Sequence, residues 1–384
     1  MPHRTPPGGA LAGMSASLEH RWPSLCAAWR GNGDTSPLST AERARVARSI
    51  GTLSGGLTRD RALVGERYLA DADLLGAYLL FYWPVSYGQA SSVLGELRHR
   101  PLGRVLDVGA GPMPMGIAAL DAGATAVHAI DRVDQALTLG RSLVASDGRV
   151  STSTWDPQRG DALPAGPFDT IIAGHVFNEL HLGGKANDRR AALVGMLLSR
   201  CSDGGRLVII EPALRDTSRA LLALRDLVAS QGVVIHAPCL VQTPCPALMR
   251  PTDWCHAERA WTPPAAFTAL AELAKLHKER LKFSYLVLSR DAHAPQHGAE
   301  LFRIVSEPMP QKGKTILFGC GPAGRHPLVR RDRDANERNA DFDELERGDL
   351  IRAAPLETRG DGLRIVEGST VERVAHADEP SEPA

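Results

Sequence analysis

The stretch Arg104-Val-Leu-Asp-Val-Gly-Ala-Gly-Pro112 decides how this chain is read. Arg104-Val-Leu-Asp-Val108 is a short apolar run of strand type. A glycine-rich turn follows at once, and a helix pattern then runs through Leu120. In that order Asp107 lies at a strand end, and Gly109 and Gly111 let the backbone turn sharply and approach a ligand. The helix that follows opens with N–H groups that have no partner inside it. Ala126-Val-His-Ala-Ile130 reads as the next strand and ends at Asp131, where a carboxylate accepts ribose hydroxyls. Asp107, Gly109, Gly111 and Asp131 are the candidate nucleoside-binding residues.

Outward from this loop, strands and helices alternate. A helix is predicted at about 133–146, a strand at Phe168-Asp-Thr-Ile-Ile-Ala173 and a helix at about 187–201. A strand at Gly205–Ile210 and a helix at about 217–230 follow. The fold class is therefore α/β, with a parallel, doubly wound sheet. Two nucleotide readings compete. The dinucleotide fingerprint wants a third small residue near position 114, which is Pro114. S-adenosylmethionine (SAM) has no pyrophosphate, and Asp-x-Gly-x-Gly suits it, so the sheet is expected to be of the class I SAM-methyltransferase type. Met113 stands where SAM loops usually carry a third glycine.

Residues 1–38 are rich in Pro, Gly and Ser and read as flexible. Residues 39–100 read as a helical region that opens on the capping box Ser39-Thr-Ala-Glu42. Further helices are expected at about 58–71 and 72–98, with the apolar run Ala77–Trp83 packing against the next domain. The SAM core spans 101–235, and a cysteine-rich insert with a basic helix at about 265–280 spans 236–282. The last core strands follow in 283–325, at Phe283–Leu288, 301–306 and 314–319. A charged extension fills 326–384, with apolar runs at 349–351 and 362–366 and a disordered last dozen residues.

His175-Val-Phe-Asn-Glu-Leu-His181 follows the strand that opens at Phe168, where an acceptor substrate lies in this fold class. His175, Asn178, Glu179 and His181 are candidates to face it. Equally, Asn178 and Glu179 suit the cap of the next helix. Asp156 or Asp161 is a candidate for the adenine side. No Asn/Asp-Pro-Pro-Tyr motif and no cysteine nucleophile in a familiar setting is present, so no catalytic residue is named.

Cys239, Cys245 and Cys255 fall within a proline-rich stretch, and Cys320 lies between glycines in Phe318-Gly-Cys-Gly-Pro322. Cys26 and Cys201 lack such settings. Free cysteines that fill cores sit mainly on helices and strands, which these do not. Structural zinc favours short C-x₂₋₄-C pairs, absent here, although His256 suits a zinc site. Iron–sulfur ligation tolerates wide spacing. Spacing leaves both metals open.

The 384 residues balance 44 Lys and Arg against 44 Asp and Glu, so no global field favours nucleic acid. A DNA partner is not expected, and RNA contact must come from a local patch. Arg259, Lys275, Lys278, Arg280 and Lys282, with Arg325, Arg330, Arg331 and Arg333, are the basic residues that suit phosphates; a solvated face is the alternative. No apolar run approaches the roughly 20 residues of a membrane span, and no signal peptide is visible. The expected location is the cytoplasm, where thiols stay reduced.

Leu106-Asp-Val-Gly-Ala-Gly-Pro112, Val208-Ile-Ile-Glu-Pro212, Ala237-Pro-Cys239 with Cys245-Pro246, Asp253-Trp-Cys-His256 and Lys282–Arg290 together resemble one family. It is the mitochondrial small-ribosomal-subunit assembly methyltransferase-like family with its bacterial relatives, over about residues 65–325. The resemblance implies a SAM fold, a [4Fe–4S] cluster on Cys239, Cys245, Cys255 and Cys320, and association with the maturing small ribosomal subunit and its rRNA. It does not imply that a methyl group is transferred. The chain departs from the family at Leu240-Val241, Ala213 and Met113. The alternative is an active SAM-dependent methyltransferase of RNA, protein or a small molecule with structural zinc.

Overall fold

Met14, Leu18, Trp22, Leu25 and Cys26 recur at helical spacing and bury one face of a helix, α1 (Ala10–Arg30), in the computed structural model. This corrects the reading of 1–38 as flexible: the apolar period holds the segment despite its composition, with Pro23 inside the helix. The structure describes residues 10–59, 71–97, 100–144, 147–180, 186–276 and 278–375. They form two compact units, 1–186 with 199–205 and 260–281, and 187–198 with 206–259 and 282–384.

In the first unit, α2 (Thr40–Ser54) opens on the predicted capping box, Ser39 and Glu42 each accepting the other's backbone N–H. The helix expected at 58–71 falls mostly outside the described residues. α3 (Ala72–Ala77), a π-helical turn at Tyr78–Tyr82 and α4 (Trp83–Glu96) follow. β1 (Arg104–Val108), α5 (Pro114–Asp121), β2 (Ala126–Asp131), α6 (Asp134–Leu143), β3 (Val150–Thr154) and β4 (Phe168–Gly174) then alternate. The strands are parallel in the order β3-β2-β1-β4. β3 carries one apolar residue, Val150, which is why no strand was expected there.

The chain continues through α7 (Ala186–Leu198), β5 (Cys201–Pro212), α8 (Arg215–Ser230), β6 (Val234–Ala237), β7 (Ala257–Ala260), α9 (Ala265–Leu273) and β8 (Arg280–Ser289). In the second unit β8 runs antiparallel to both β5 and β6, so the sheet is mixed, not wholly parallel. An antiparallel strand of this kind is common in large α/β sheets. The basic helix is also corrected. α9 contains no Lys or Arg, and it ends before Lys275, whose left-handed backbone (φ 55°) stops the helix. Lys278 and Arg280 lie beyond it.

A second sheet follows from β9 (Leu301–Ile304), β10 (Met309–Gln311), β11 (Lys314–Gly321), β12 (Gly324–Arg331), β13 (Leu350–Arg359) and β14 (Gly362–Ala375). Its own core holds Phe302, Ile304, Leu317, Leu328, Phe342, Ile351, Ile365 and Val371. Residues 301–306 and 314–319, expected in the first sheet, therefore belong to this one, and Cys320 with them. The stretch expected as a charged extension supplies β12–β14, because apolar residues alternate with arginines and carboxylates and turn inward. No described helix is long and apolar enough to cross a membrane. The first sheet, with helices between its parallel strands, gives a mixed α/β, Rossmann-like fold.

Candidate functional site

In the first unit β1 delivers Asp107 into full burial. Its Oδ2 accepts the Gly116 N–H at 2.8 Å, and its Oδ1 has no hydrogen-bond partner. Burial, with a smaller push from the Asp131 charge, raises the carboxyl to about 7. Gly109 (φ 65°) and Gly111 (φ 51°) are both left-handed, and a Cβ on Gly109 would lie 2.3 Å from Val176. Asp131 ties the loop to β2: one carboxylate oxygen accepts Gly111 N–H, the other Val133 N–H, each at 2.9 Å. Burial raises this carboxyl too. Asp107 of β1 and Asp131 of β2 thus flank one tied loop that carries Gly109 and Gly111.

Sequence reading missed the two supports of this loop. The Trp83 indole on α4 donates to Pro112 O at 2.9 Å. Met113, fully buried with φ 60°, fills space that Gly140 of α6 leaves. Neither pairing has a local signal, since each joins residues tens of positions apart.

His175 follows β4 with a left-handed backbone (φ 60°) and contacts Gln89 Oε1 through Nε2 at 3.1 Å. Burial lowers it to about 4, so the ring is neutral near pH 7. With Nε2–H assigned as the donor, Nδ1, which has no partner, is an acceptor. Asn178 Nδ2 donates to His175 O at 2.9 Å. Among the described residues the next helix runs over Ala186–Leu198, and residues 181–185 between it and Glu179 lie outside them. His181 lies outside the described residues. Asp156 and Asp161 shape the turn after β3: Asp161 Oδ2 accepts Asp156 N–H, and Asp156 Oδ1 accepts Gln158 N–H.

In the second unit Cys239, Cys245, Cys255 and Cys320 all line one cavity of about 70 Å³, beside His256, Arg303 and Arg325. They arrive from four places: the loop after β6, the turn at Pro246–Leu248, the approach to β7, and β11. Arg225, fully buried on α8, donates to the carbonyls of Val241 and Thr243 and to Asp226. Asp226 in turn accepts the Cys245 N–H at 2.9 Å. Arg219 donates to Asp253 O and, at 2.9 Å, to Arg250 O. Arg303 holds Pro238 O at 2.8 Å, and Arg325 pairs with Asp253 at 2.7 Å. These arginines frame the cysteine loops; of them only Arg325 stood out in the sequence, as a phosphate candidate, and here it pairs with Asp253.

Burial pushes all four thiols up, Cys245 to about 11, and the neighbouring sulfurs push in the same direction. Arg225 opposes this at Cys239, and Arg325 opposes it at Cys255 and Cys320. No group of three or more His, Cys, Asp or Glu among the described residues is placed to hold a metal ion. The cavity has room for more than one water-sized sphere, which needs roughly 10–15 Å³.

The phosphate-facing set is corrected in part. Arg259 and Arg330 are buried, Arg259 donating to Glu258 O and Arg330 to Asn339 O. Lys282 pairs with Glu258 at 3.2 Å. Arg331 and Arg333 are exposed.

Ribosomal protein L11 methyltransferase of Neisseria gonorrhoeae is 34% identical over 105 residues, covering 27% of this chain and 31% of that protein. The chain thus spans about a third of that relative. Among solved structures, the ribosomal protein L11 methylase of Lactobacillus delbrueckii subsp. bulgaricus gives a TM-score of 0.32 at 18% identity, over 55% of this chain and 80% of the other. The plantazolicin methyltransferase gives 0.36 at 12% identity, over 65% and 98%. The family model for the mitochondrial small ribosomal subunit protein Rsm22 matches residues 75–363. That match runs from α3 to the start of β14, and the chain belongs to the mitochondrial small ribosomal subunit Rsm22 family.

Proposed function

We propose that this chain is a SAM-binding, methyltransferase-fold protein that acts in assembly of the small ribosomal subunit, contacts rRNA and carries a [4Fe–4S] cluster. The observation that carries the reading is the meeting of Cys239, Cys245, Cys255 and Cys320 around one cavity.

The residues present fit a cluster. The donors are all soft sulfur, as iron–sulfur ligation requires. The space exceeds what a single ion fills, and Arg225, Arg303 and Arg325 supply positive charge beside thiolates. The raised thiols favour deprotonation only in company with metal, which links loading to folding of the loops. When bound, the cluster would supply folding energy to the segment between β6 and β7. Arg225 and Asp226 hold the Cys239–Cys245 loop, and Arg219 and Arg325 hold the approach to Cys255.

For SAM, the Asp131 carboxylate accepts the ribose hydroxyls, and the Gly109–Gly111 turn gives the ligand a close backbone approach. Asp107 Oδ1 is an unused buried acceptor in that same loop. Where a methyl group moves, these residues act by aligning acceptor and sulfonium.

The test is protein purified without oxygen and assayed for iron, acid-labile sulfide and visible absorbance. A broad band near about 400 nm with stoichiometric iron and sulfide supports the cluster. Colourless, zinc-loaded protein that does not co-sediment with small-subunit particles overturns the reading in favour of a zinc-stabilised methyltransferase.

A further inference from the structure

The second sheet closes on itself. β9 pairs antiparallel with both β11 and β13, so β9, β11, β12, β14 and β13 form a ring. β12 and β14 are parallel neighbours in it. Counted along the chain, the ring runs first, second, third, fifth, fourth and back to the first. That is the strand order of the OB barrel, which binds oligonucleotides across its second and third strands and the adjoining loops. A fold alone assigns no ligand, so the side chains must decide.

Leu317 and Leu328 belong to the barrel core, and a Cβ on Gly319 would meet Leu328 and Phe302. Alternation therefore turns Lys314, Ile316 and Phe318 of β11 outward. Opposite them on β12 stand Arg331, Val329 and Pro327, in that register. Lys314 and Arg331 face each other directly across the strands, an arrangement that like charges make unfavourable. Lys312 sits in the turn just before β11. Among the described residues none of these three cations has an ion-pair partner; Asp332, next along the chain from Arg331, begins a short 3₁₀ turn. Beside this cationic end lies a part-exposed apolar row that contains Phe318; the Arg325 guanidinium, paired with Asp253, lies over one face of its ring, 5.3 Å from the centroid, so a base would stack on the other. An aromatic platform flanked by unpaired cations is what single-stranded nucleic acid requires: bases stack, and phosphates meet Lys and Arg.

We propose that the β11–β12 face of this barrel is a single-stranded RNA site, with Phe318 stacking a base and Lys312, Lys314 and Arg331 holding phosphates. The choice of RNA rests on the reading of the chain as an rRNA-contacting small-subunit protein.

The test is fluorescence anisotropy of the full, metal-loaded chain with a labelled single-stranded RNA of about 12 nucleotides, within the span that OB barrels cover. The Phe318→Ala variant is expected to bind roughly 5- to 150-fold more weakly, the stacking loss of one base. The double variant Lys314→Ala, Arg331→Ala is expected to flatten the slope of log affinity against log salt by about 1.4, two phosphates' worth on a single strand. Its melting temperature should hold or rise, because a like-charge opposition is removed, so weak binding cannot be put down to misfolding. Wild-type binding that all three substitutions leave unchanged overturns this site while the rRNA reading stands. Equal affinity for duplex and single strand also overturns it. No binding of any RNA by the wild type overturns both.

Discussion

Met113 occupies the space that Gly140 leaves: a Cβ on Gly140 would stand 2.6 Å from Met113 Cγ and 3.1 Å from the Pro112 carbonyl carbon. Met113 stands in the loop after β1 where a third glycine is expected, and a glycine on α6 makes room for it. Met113 still adopts the left-handed backbone that a glycine would take there (φ 60°). That conformation costs a non-glycine residue roughly 1–2 kcal/mol.

Gly140→Ala should therefore damage the proposed SAM loop from a helix that carries none of the proposed ligand-binding residues. Overpacking a tight site of this kind costs about 1–3 kcal/mol. The measurement is the denaturation midpoint with SAM affinity by calorimetry, both expected to fall. Shortening Met113 to Ala in the same chain should recover part of the loss. A double-mutant cycle with no coupling between the two positions sinks the idea.

Asp107 makes a pH prediction. Its carboxyl titrates at about 7 in the folded chain, raised by burial, against roughly 3.9 unfolded. The folded state therefore holds a proton that the unfolded state releases. That contribution to stability is complete below about pH 4 and is lost as pH rises to about 7. Urea titrations between pH 4 and 8 should show the wild type losing stability relative to Asp107→Asn, whose neutral amide does not titrate. A cationic ligand favours the ionised carboxylate, so SAM binding should release protons near neutral pH. Parallel pH curves for the two proteins would remove the basis for this reading.

What was legible in the sequence follows from what is local. Strand, glycine turn and helix are consecutive in Arg104–Leu120, so the loop and Asp131 could be placed without coordinates. Three cysteines stood out by their proline-rich setting and Cys320 by its flanking glycines, and the structure brings those same four to one cavity. The barrel was hidden because its strands read as charged: in Leu350-Ile-Arg-Ala353 the arginine is the exposed face of a core strand. α1 was hidden by composition, although Leu18, Trp22 and Leu25 carried the period. Pairings such as Met113 with Gly140, or Arg225 with the carbonyls of Val241 and Thr243, join distant positions and leave no mark on a single sequence.

Arg225 gives the next prediction. It is fully buried and ties the Cys239–Cys245 loop through two carbonyls while touching Asp226. Arg225→Met keeps much of the apolar stem but strands both carbonyls and leaves Asp226 without its cation. Each buried unsatisfied group costs about 1–3 kcal/mol. Under the cluster proposal, iron content per chain should drop well below that of the wild type, with the melting temperature following it. Arg225→Lys should rescue little, because a single ammonium cannot reproduce a planar fork. Full iron occupancy in Arg225→Met would show that the loop holds its shape without this residue.

The last prediction joins the thiol cavity to the barrel. Cys320 lies on β11, two residues from Phe318, and pairs in register with Arg325 of β12. Both residues line the cavity, and Arg325 also lies over the Phe318 ring. Anything that fixes Cys320 therefore fixes the end of the strand that presents Phe318. Under the cluster proposal, removing iron by chelation, or substituting Cys320→Ser, should loosen that end and weaken RNA binding by a few fold to tenfold, about 1 kcal/mol of ordering lost per released backbone position. Hydrogen exchange is the discriminating readout: the Phe318–Arg325 amides should exchange faster in the metal-free chain, while those of β13 and β14 change little. If iron loss abolishes RNA binding with uniform exchange across the barrel, the metal holds the whole unit together and has no special purchase on β11.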